Sequence, residues 1–128
     1  MKKAFQICAV YGFLLAALIF SQVVTPAVIT LFVSQPYTLG SHGMDWMYWH
    51  GASCFFVGLV NLVASRWTDT GAQRDIALAT AVIYGAWFLQ NASLMFTGRY
   101  LPGMWFNVLA CGGAALLSLI TVRRVRSE

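Results

Sequence analysis

Charge is scarce in this chain. Asp, Glu, Lys and Arg make up 9% of its 128 residues, against about a quarter in a water-soluble domain. That excludes a surface kept in water by charge. Carboxylates are scarcer still: Asp45, Asp69, Asp75 and Glu128 all fall in expected loops, at helix ends or in the tail. Proton-coupled exporters trade a proton for cargo on a carboxylate inside the membrane. The size suits a small multidrug transporter, but the first apolar run has no Glu to serve it.

Cysteine is also sparse. Cys8, Cys54 and Cys111 are odd in number, widely spaced and inside apolar runs, which argues against a disulfide framework. The absence of a Cys-x-x-Cys pair argues against a thiol-disulfide exchange enzyme as well. The chain has no nucleophile-base pair at a recognisable spacing, no carboxylate dyad and no Gly-rich phosphate loop. Asp45 and His50 are five apart and do not share a helix face. No catalytic residue is expected.

What is present is hydrocarbon, with 59% of residues hydrophobic. Crossing a hydrocarbon core of roughly 30 Å takes about 20 apolar residues in a helix, and four such runs fit. The first apolar stretch, Ala4 to Val33, is too long for one span, and Pro26 divides it because proline lacks a donor and disfavours helix before it. The expected spans are 5–25, 45–65, 76–96 and 102–122, with 26–33 a short interfacial piece. Asp45 suits a helix cap and Pro102 a first helical turn. Trp46, Tyr48, Trp49, Trp67, Tyr100 and Trp105 fall near span ends, where amphipathic rings prefer the headgroup region. The fold class is therefore all-α, a four-span bundle in a single domain.

Basic residues near span ends are retained on the cytoplasmic side. Lys2, Lys3, Arg66, Arg74, Arg123, Arg124 and Arg126 fall on one side of the four-span layout and only Arg99 on the other, which predicts both termini in the cytoplasm. The net charge of +4 is then a topology signal with some attraction to anionic lipid, not a nucleic-acid footprint. No small-x-small cleavage site lies between Phe20 and Pro26, so an uncleaved first span is expected rather than a signal peptide.

The connections 66–75 and 97–102 are short and polar. The loop 34–44 is longer, broken by Pro36, Gly40 and Gly43, and it holds His42; loops of this kind carry function more often than tight connectors do. It leads into the densest polar and aromatic stretch of the chain, His42 to Gly58.

When the outer ends of the spans are aligned, Gln22, His50, Asn91 and Asn107 fall at similar depth, roughly 5 to 8 Å inside the boundary at the helical rise. Helical phase puts His50, Cys54, Val57 and Asn61 on one face, with Met47 a turn above. Ala77, Thr80, Tyr84, Asn91 and Met95 share a face of the third helix, and Met104, Asn107, Cys111, Ala115 and Ser118 one of the fourth. Polar groups avoid lipid, so these stripes are expected to point inward. They serve either as interhelical glue or as the lining of an outward-facing pocket of Gln22, Met47, His50, Asn91, Met95, Met104 and Asn107.

Thioether, thiol and imidazole suit copper(I), which makes His42, Met44, Met47, His50 and Cys54 weak metal candidates, although no His-x-x-x-His spacing supports them. His50 beside Gly51 and Ala52 is also a candidate axial ligand for haem or a chlorophyll-type pigment. Small residues form packing grooves at Ala77, Ala81 and Gly85 and at Gly112 and Gly113, where another helix can approach closely.

The layout of a first span followed by proline and an irregular segment, then Trp-His-Gly-Ala-Ser at 49–53, Gly58, Ala-Ser-Arg at 64–66 and Trp105 opening the last span, resembles the DoxX-like small four-helix bacterial membrane proteins. The resemblance covers the whole chain and implies a four-helix bundle, with no catalytic residue carried over. The charged residues that some members hold within their helices are missing here.

These readings predict a non-catalytic accessory or structural subunit of a larger membrane complex in a bacterial inner membrane, packed through its grooves or self-associated. The alternative is a binder of a small molecule, pigment, haem or copper at the outer polar layer.

Overall fold

The structure, a computed structural model, describes residues 1–25 and 41–125; the expected interfacial piece 26–33 and most of the loop 34–44 lie outside them. Four α-helices order the chain: α1 (Lys2–Val24), α2 (Ser41–Ala64), α3 (Thr70–Phe96) and α4 (Trp105–Val125), the last preceded by a 3-10 turn at Pro102–Met104. Three stretches are long and apolar enough to cross a membrane, Lys2–Gln22, Met47–Ala64 and Pro102–Arg124. The run within α3, interrupted by Thr80, Tyr84, Gln90, Asn91 and Ser93, is not among them.

The starts of α2 and α3 differ most from the expected spans; α1 also starts three residues early, at Lys2, and α4 ends three late, at Val125. α2 begins at Ser41 rather than Asp45, so the last residues of the expected loop are helical and Asp45 is no cap. A helix that continues past the membrane surface takes a polar, Gly-containing turn without leaving its hydrogen-bond ladder. α3 begins six residues before the expected 76, at Thr70, because Asp69 caps it: its carboxylate accepts from the Ala72 N–H at 3.0 Å and satisfies one of the otherwise orphaned donors of the first turn. Behind this cap the buried Gln73 donates to the Ala64 and Trp67 carbonyls at 3.1 and 2.9 Å. One side chain thus closes the end of α2 and fixes the turn into α3.

α3 stops by a Schellman arrangement. The Gly98 N–H donates to Met95 and the Arg99 N–H to Leu94 at 3.1 and 3.0 Å, with Gly98 at φ +69°, the left-handed conformation that glycine adopts without steric cost. Pro102 then opens the next helical turn, where its missing donor costs nothing.

The helices pack as two intimate hairpins, α1 with α2 and α3 with α4, joined by lighter α1–α4 and α2–α3 seams. Cross-contacts run in opposite sequence directions throughout: Gly12 meets Gly58, Gly51 meets Phe20, and Gly112 meets Phe88. All neighbours are therefore antiparallel. The α1–α2 crossing is the tightest, because a Cβ built on Gly12 would stand 2.8 Å from the Gly58 nitrogen and 2.9 Å from the Cys54 carbonyl oxygen. Backbone there lies against backbone.

The interior is layered. Phe5, Ala64 and Ala77 fill the end that holds the N-terminus; Cys8, Tyr84, Cys111 and Ala114 fill the middle; Leu15, Ala16, Ile19, Met47 and Cys54 fill the opposite end. Large apolar side chains such as Leu14, Val82, Leu89 and Leu109, each more than 60% exposed, cover the outside. That inversion of the soluble pattern suits contact with lipid.

Candidate functional site

Besides the Gln73 contacts at the α2–α3 turn, polar side chains among the described residues meet across helices in three places. The first is centred on Tyr11 of α1, whose hydroxyl donates to Asn107 Oδ1 of α4 and stands 3.2 Å from Cys111 Sγ. With the tyrosyl hydrogen given to Asn107, the Cys111 thiol has two acceptors in reach, the Tyr11 oxygen and, at 3.9 Å, Asn107 Oδ1. Asn91 of α3 reaches the same sulfur at 3.9 Å. The expected glue residues Asn91 and Asn107 thus converge on the Cys111 sulfur, beside which the Tyr11 hydroxyl also stands.

The second place lies deeper. Tyr84 of α3 is fully buried and donates to the Cys8 carbonyl of α1 at 3.0 Å, giving that oxygen a second bond. The Cys8 thiol in turn lies 3.6 Å from Ser118 Oγ of α4, whose own hydrogen goes to the Ala114 carbonyl at 2.8 Å. The third place is on the α2–α3 seam, where buried Asn61 donates to Thr80 Oγ1 at 3.1 Å and to the Val57 carbonyl at 2.9 Å.

A chain of ring contacts links these regions. His50 stands edge-on to Trp87 with centroids 5.5 Å apart; Trp87 meets Tyr84 at 5.3 Å, and Tyr84 meets Tyr11 at 5.4 Å. His50 is half-buried and packs by its ring, an arrangement in which edge-to-face geometry is favourable.

Of the expected outer pocket, Met47, Met104 and Asn107 are buried, while Gln22, His50, Asn91 and Met95 are half-buried. Met47 packs in the cluster containing Cys54, among Leu15, Ala16 and Ile19, as an apolar filler does. Asn91 and Asn107 share Cys111; Met47 and His50 both lie in the outer layer beside Trp87. The side chains of His42 and Met44 lie outside the described residues. Among the described residues no three His, Cys, Asp or Glu side chains come together as metal ligands.

A cavity of about 150 Å³ does open, but nearer the α2–α3 turn. It is lined by Phe56, Val57, Val60, Asn61, Ile76, Ala79, Thr80 and Ile83. Its walls are hydrocarbon, and its two polar residues are already bonded to one another. It lies on the lighter seam, between helices that the hairpin packing leaves apart.

The expected packing grooves divide. Ala77 and Ala81 are buried inside the bundle, and Gly112 is covered by Phe88, whose ring would lie 3.1 Å from an added Cβ. Gly85 and Gly113 face open space, with nothing within 4 Å of an added Cβ.

Tyr11 and Gln73 were in none of the expected stripes; Tyr84 was in the inward stripe of the third helix, with no role given to its hydroxyl. The signal for the tyrosines was their depth: interfacial tyrosines sit near span ends, whereas positions 11 and 84 fall well inside theirs and need an internal partner for the hydroxyl. Gln73 carried no such signal, since it precedes the apolar run. No protein-family model, curated protein or solved structure matches this chain.

Proposed function

We propose that the chain is a small non-catalytic integral membrane protein, an accessory or structural subunit of a larger complex in a bacterial inner membrane. In this reading all four helices span and both termini are cytoplasmic, as the distribution of Lys and Arg indicates. The layout likeness to the DoxX-like proteins belongs to the same reading.

The observation that carries it is Gly113. It lies on an outer face of α4 between Leu109 and Leu116, 69% and 59% exposed, and an added Cβ there meets no atom within 4 Å. A glycine notch between two leucines on a lipid-facing helix lets a second helix approach to backbone distance. The interior supports the same role, because its polar groups are engaged in tying helices together and form a stiff body for others to pack on.

The test is purification in a mild detergent, with native mass, visible absorption and metal content recorded on one sample. The expected result is a colourless, metal-free assembly containing a larger partner. Gly113→Leu should release the chain from that partner while its helical content is kept. A species containing no other protein, with a pigment band or stoichiometric copper that His50→Ala abolishes, would replace this reading with the binder.

A further inference from the structure

The end of the bundle that holds the N-terminus contains a buried charge-bearing group with nothing to bond to. Arg74, on the second turn of α3, is half-buried, and its Nε is enclosed without a hydrogen-bond partner among the described residues. No other enclosed side-chain nitrogen or oxygen of the buried and half-buried residues described is left in this way. Buried polar groups are nearly always paired, and a guanidinium cannot escape the cost by losing its proton. The missing partner is therefore sought outside the chain.

Helical phase places a second cation on the same seam. Arg74 lies seven residues before the buried Ala81 on one side of α3, and seven further on Phe88 covers Gly112 of α4. Arg123 stands eleven residues beyond Gly112 on the same side of α4, in its last turn, and is exposed. Because α3 and α4 are antiparallel, both separations run to the same end. At the helical rise Arg74 lies about 21 Å and Arg123 about 17 Å from the Phe88–Gly112 crossing. Two like charges thus border one seam at nearly one level. The nearest described carboxylates do not answer them: Asp69 accepts from the Ala72 N–H at 3.0 Å, and Asp75, exposed, is turned about 100° round the helix from Arg74.

Depth and geometry select the partner. Arg74 precedes the apolar run of α3 by two residues, and Trp67 on the connecting turn, 43% exposed, is of the kind that prefers the headgroup region. Leu78, one turn beyond Arg74 on the same side and 44% exposed, carries that side into hydrocarbon. The Nε and one Nη of a guanidinium form a planar fork that matches two oxygens of a phosphate. Rotation about the last bonds of the Arg74 side chain brings that edge out between the helices.

We propose that Arg74 and Arg123 together bind one phosphate group, that of a phospholipid headgroup, at this end of the α3–α4 seam. Basic pockets between membrane helices hold such headgroups. The proposal rests on the reading that α3 crosses the membrane and reaches headgroup level at Arg74, and it names a site where the net charge alone gives only a general attraction.

The experiment is native mass spectrometry of the full chain released from mild detergent after titration with phosphatidylglycerol, with diacylglycerol of the same acyl chains in parallel. One phosphatidylglycerol per chain should be retained and diacylglycerol lost. Arg74→Gln should weaken retention about ten- to a hundredfold, the loss expected for one hydrogen-bonded charged partner, and Arg74→Lys should recover only part of it, having the charge but not the fork. Arg66→Gln removes the same charge at the same end, on α2 and away from the seam, and should leave retention nearly unchanged. Equal losses from Arg66→Gln and Arg74→Gln, or equal retention of diacylglycerol, would overturn the site. Displacement of the lipid by millimolar inorganic phosphate would overturn the lipid as the source and assign the seam to a free anion. A membrane-impermeant maleimide tests the underlying reading separately: labelling of Ala79→Cys from water in lipid vesicles would refute the spanning of α3 itself.

Discussion

Gly12→Ala is the sharpest test of the packing. An alanine Cβ at this position would stand 2.8 Å from the Gly58 nitrogen and 2.9 Å from both the Cys54 carbonyl oxygen and the Gly58 Cα. All three obstacles are backbone, so no side chain can swing aside. Restoring ordinary contact at about 3.4 Å requires α1 and α2 to part by about half an ångström at the crossing, and a gap of that size forfeits roughly a quarter of each pairwise dispersion well. The loss falls on the contacts of Leu15, Ala16 and Ile19 with Met47 and Cys54, and on Tyr11, which must move with its helix. Overpacking of cores costs typically about 1–3 kcal/mol, and a backbone obstacle places this case near the upper end, about 3 kcal/mol. The assay is reversible unfolding in mixed micelles of increasing SDS fraction, followed by helical circular dichroism. Gly113→Ala is the matched control: its Cβ enters open space, and replacing a mid-helix glycine by alanine gains about 0.5–1 kcal/mol. Equal unfolding midpoints for the two variants would refute the close α1–α2 crossing.

Tyr11→Phe removes the strong donor to Asn107 Oδ1 and should cost about 1–2 kcal/mol in the same assay, with little further loss when Asn107→Leu is added, because membrane polar contacts reach only that range. Asn61→Leu and Thr80→Val should each destabilise by about 1–3 kcal/mol by leaving a buried partner unpaired, and the double variant should recover most of that. Asp69→Ala removes the cap on the Ala72 N–H and should cost about 1 kcal/mol, with amide exchange quickening in the first turn of α3 only. The three thiols, all buried, should resist a maleimide in the folded protein and react in SDS; rapid labelling of Cys54 in the folded state would contradict its place in the core.

The three stretches apolar enough to span were legible because lipid exposure is written as uninterrupted hydrophobic runs. Helix starts were less so. The first turns of α2 and α3 lie outside those runs, and the start of α3 depends on the side chain of Asp69, whereas the threonines on either side of it, Thr68 and Thr70, look equally able to cap. The inward stripes followed from helical phase, but their partners did not, since phase says which side chains face inward and not which helix they face. The Tyr11 hydroxyl bonds to α4 rather than to its sequence neighbour α2. Likewise Gly12 and Gly58 are 46 residues apart, and their meeting depends on the register of α1 against α2, which nothing in either helix alone specifies. The stripe of Ala77, Ala81 and Gly85 was visible as a groove, but two of its members face the interior and the third faces out.

That division explains why α3 reads as the least apolar helix. A lipid-facing surface is free to be all large and aliphatic, as on α1 at Ile7, Val10 and Leu14, because acyl chains ask only for hydrocarbon. A surface facing another helix must alternate small with large, and it tolerates an amide where backbone lies within reach. α3 carries an inward stripe of Ala77, Thr80, Ala81 and Tyr84 that packs at the helical period and an outward stripe that repeats every seven. The inward stripe lowers its hydropathy because Thr80 and Tyr84 bond to α2 and α1. The outward stripe lowers it further with small side chains at 79, 86 and 93 and the exposed amide at 90, so α3 is the least apolar helix on both sides at once.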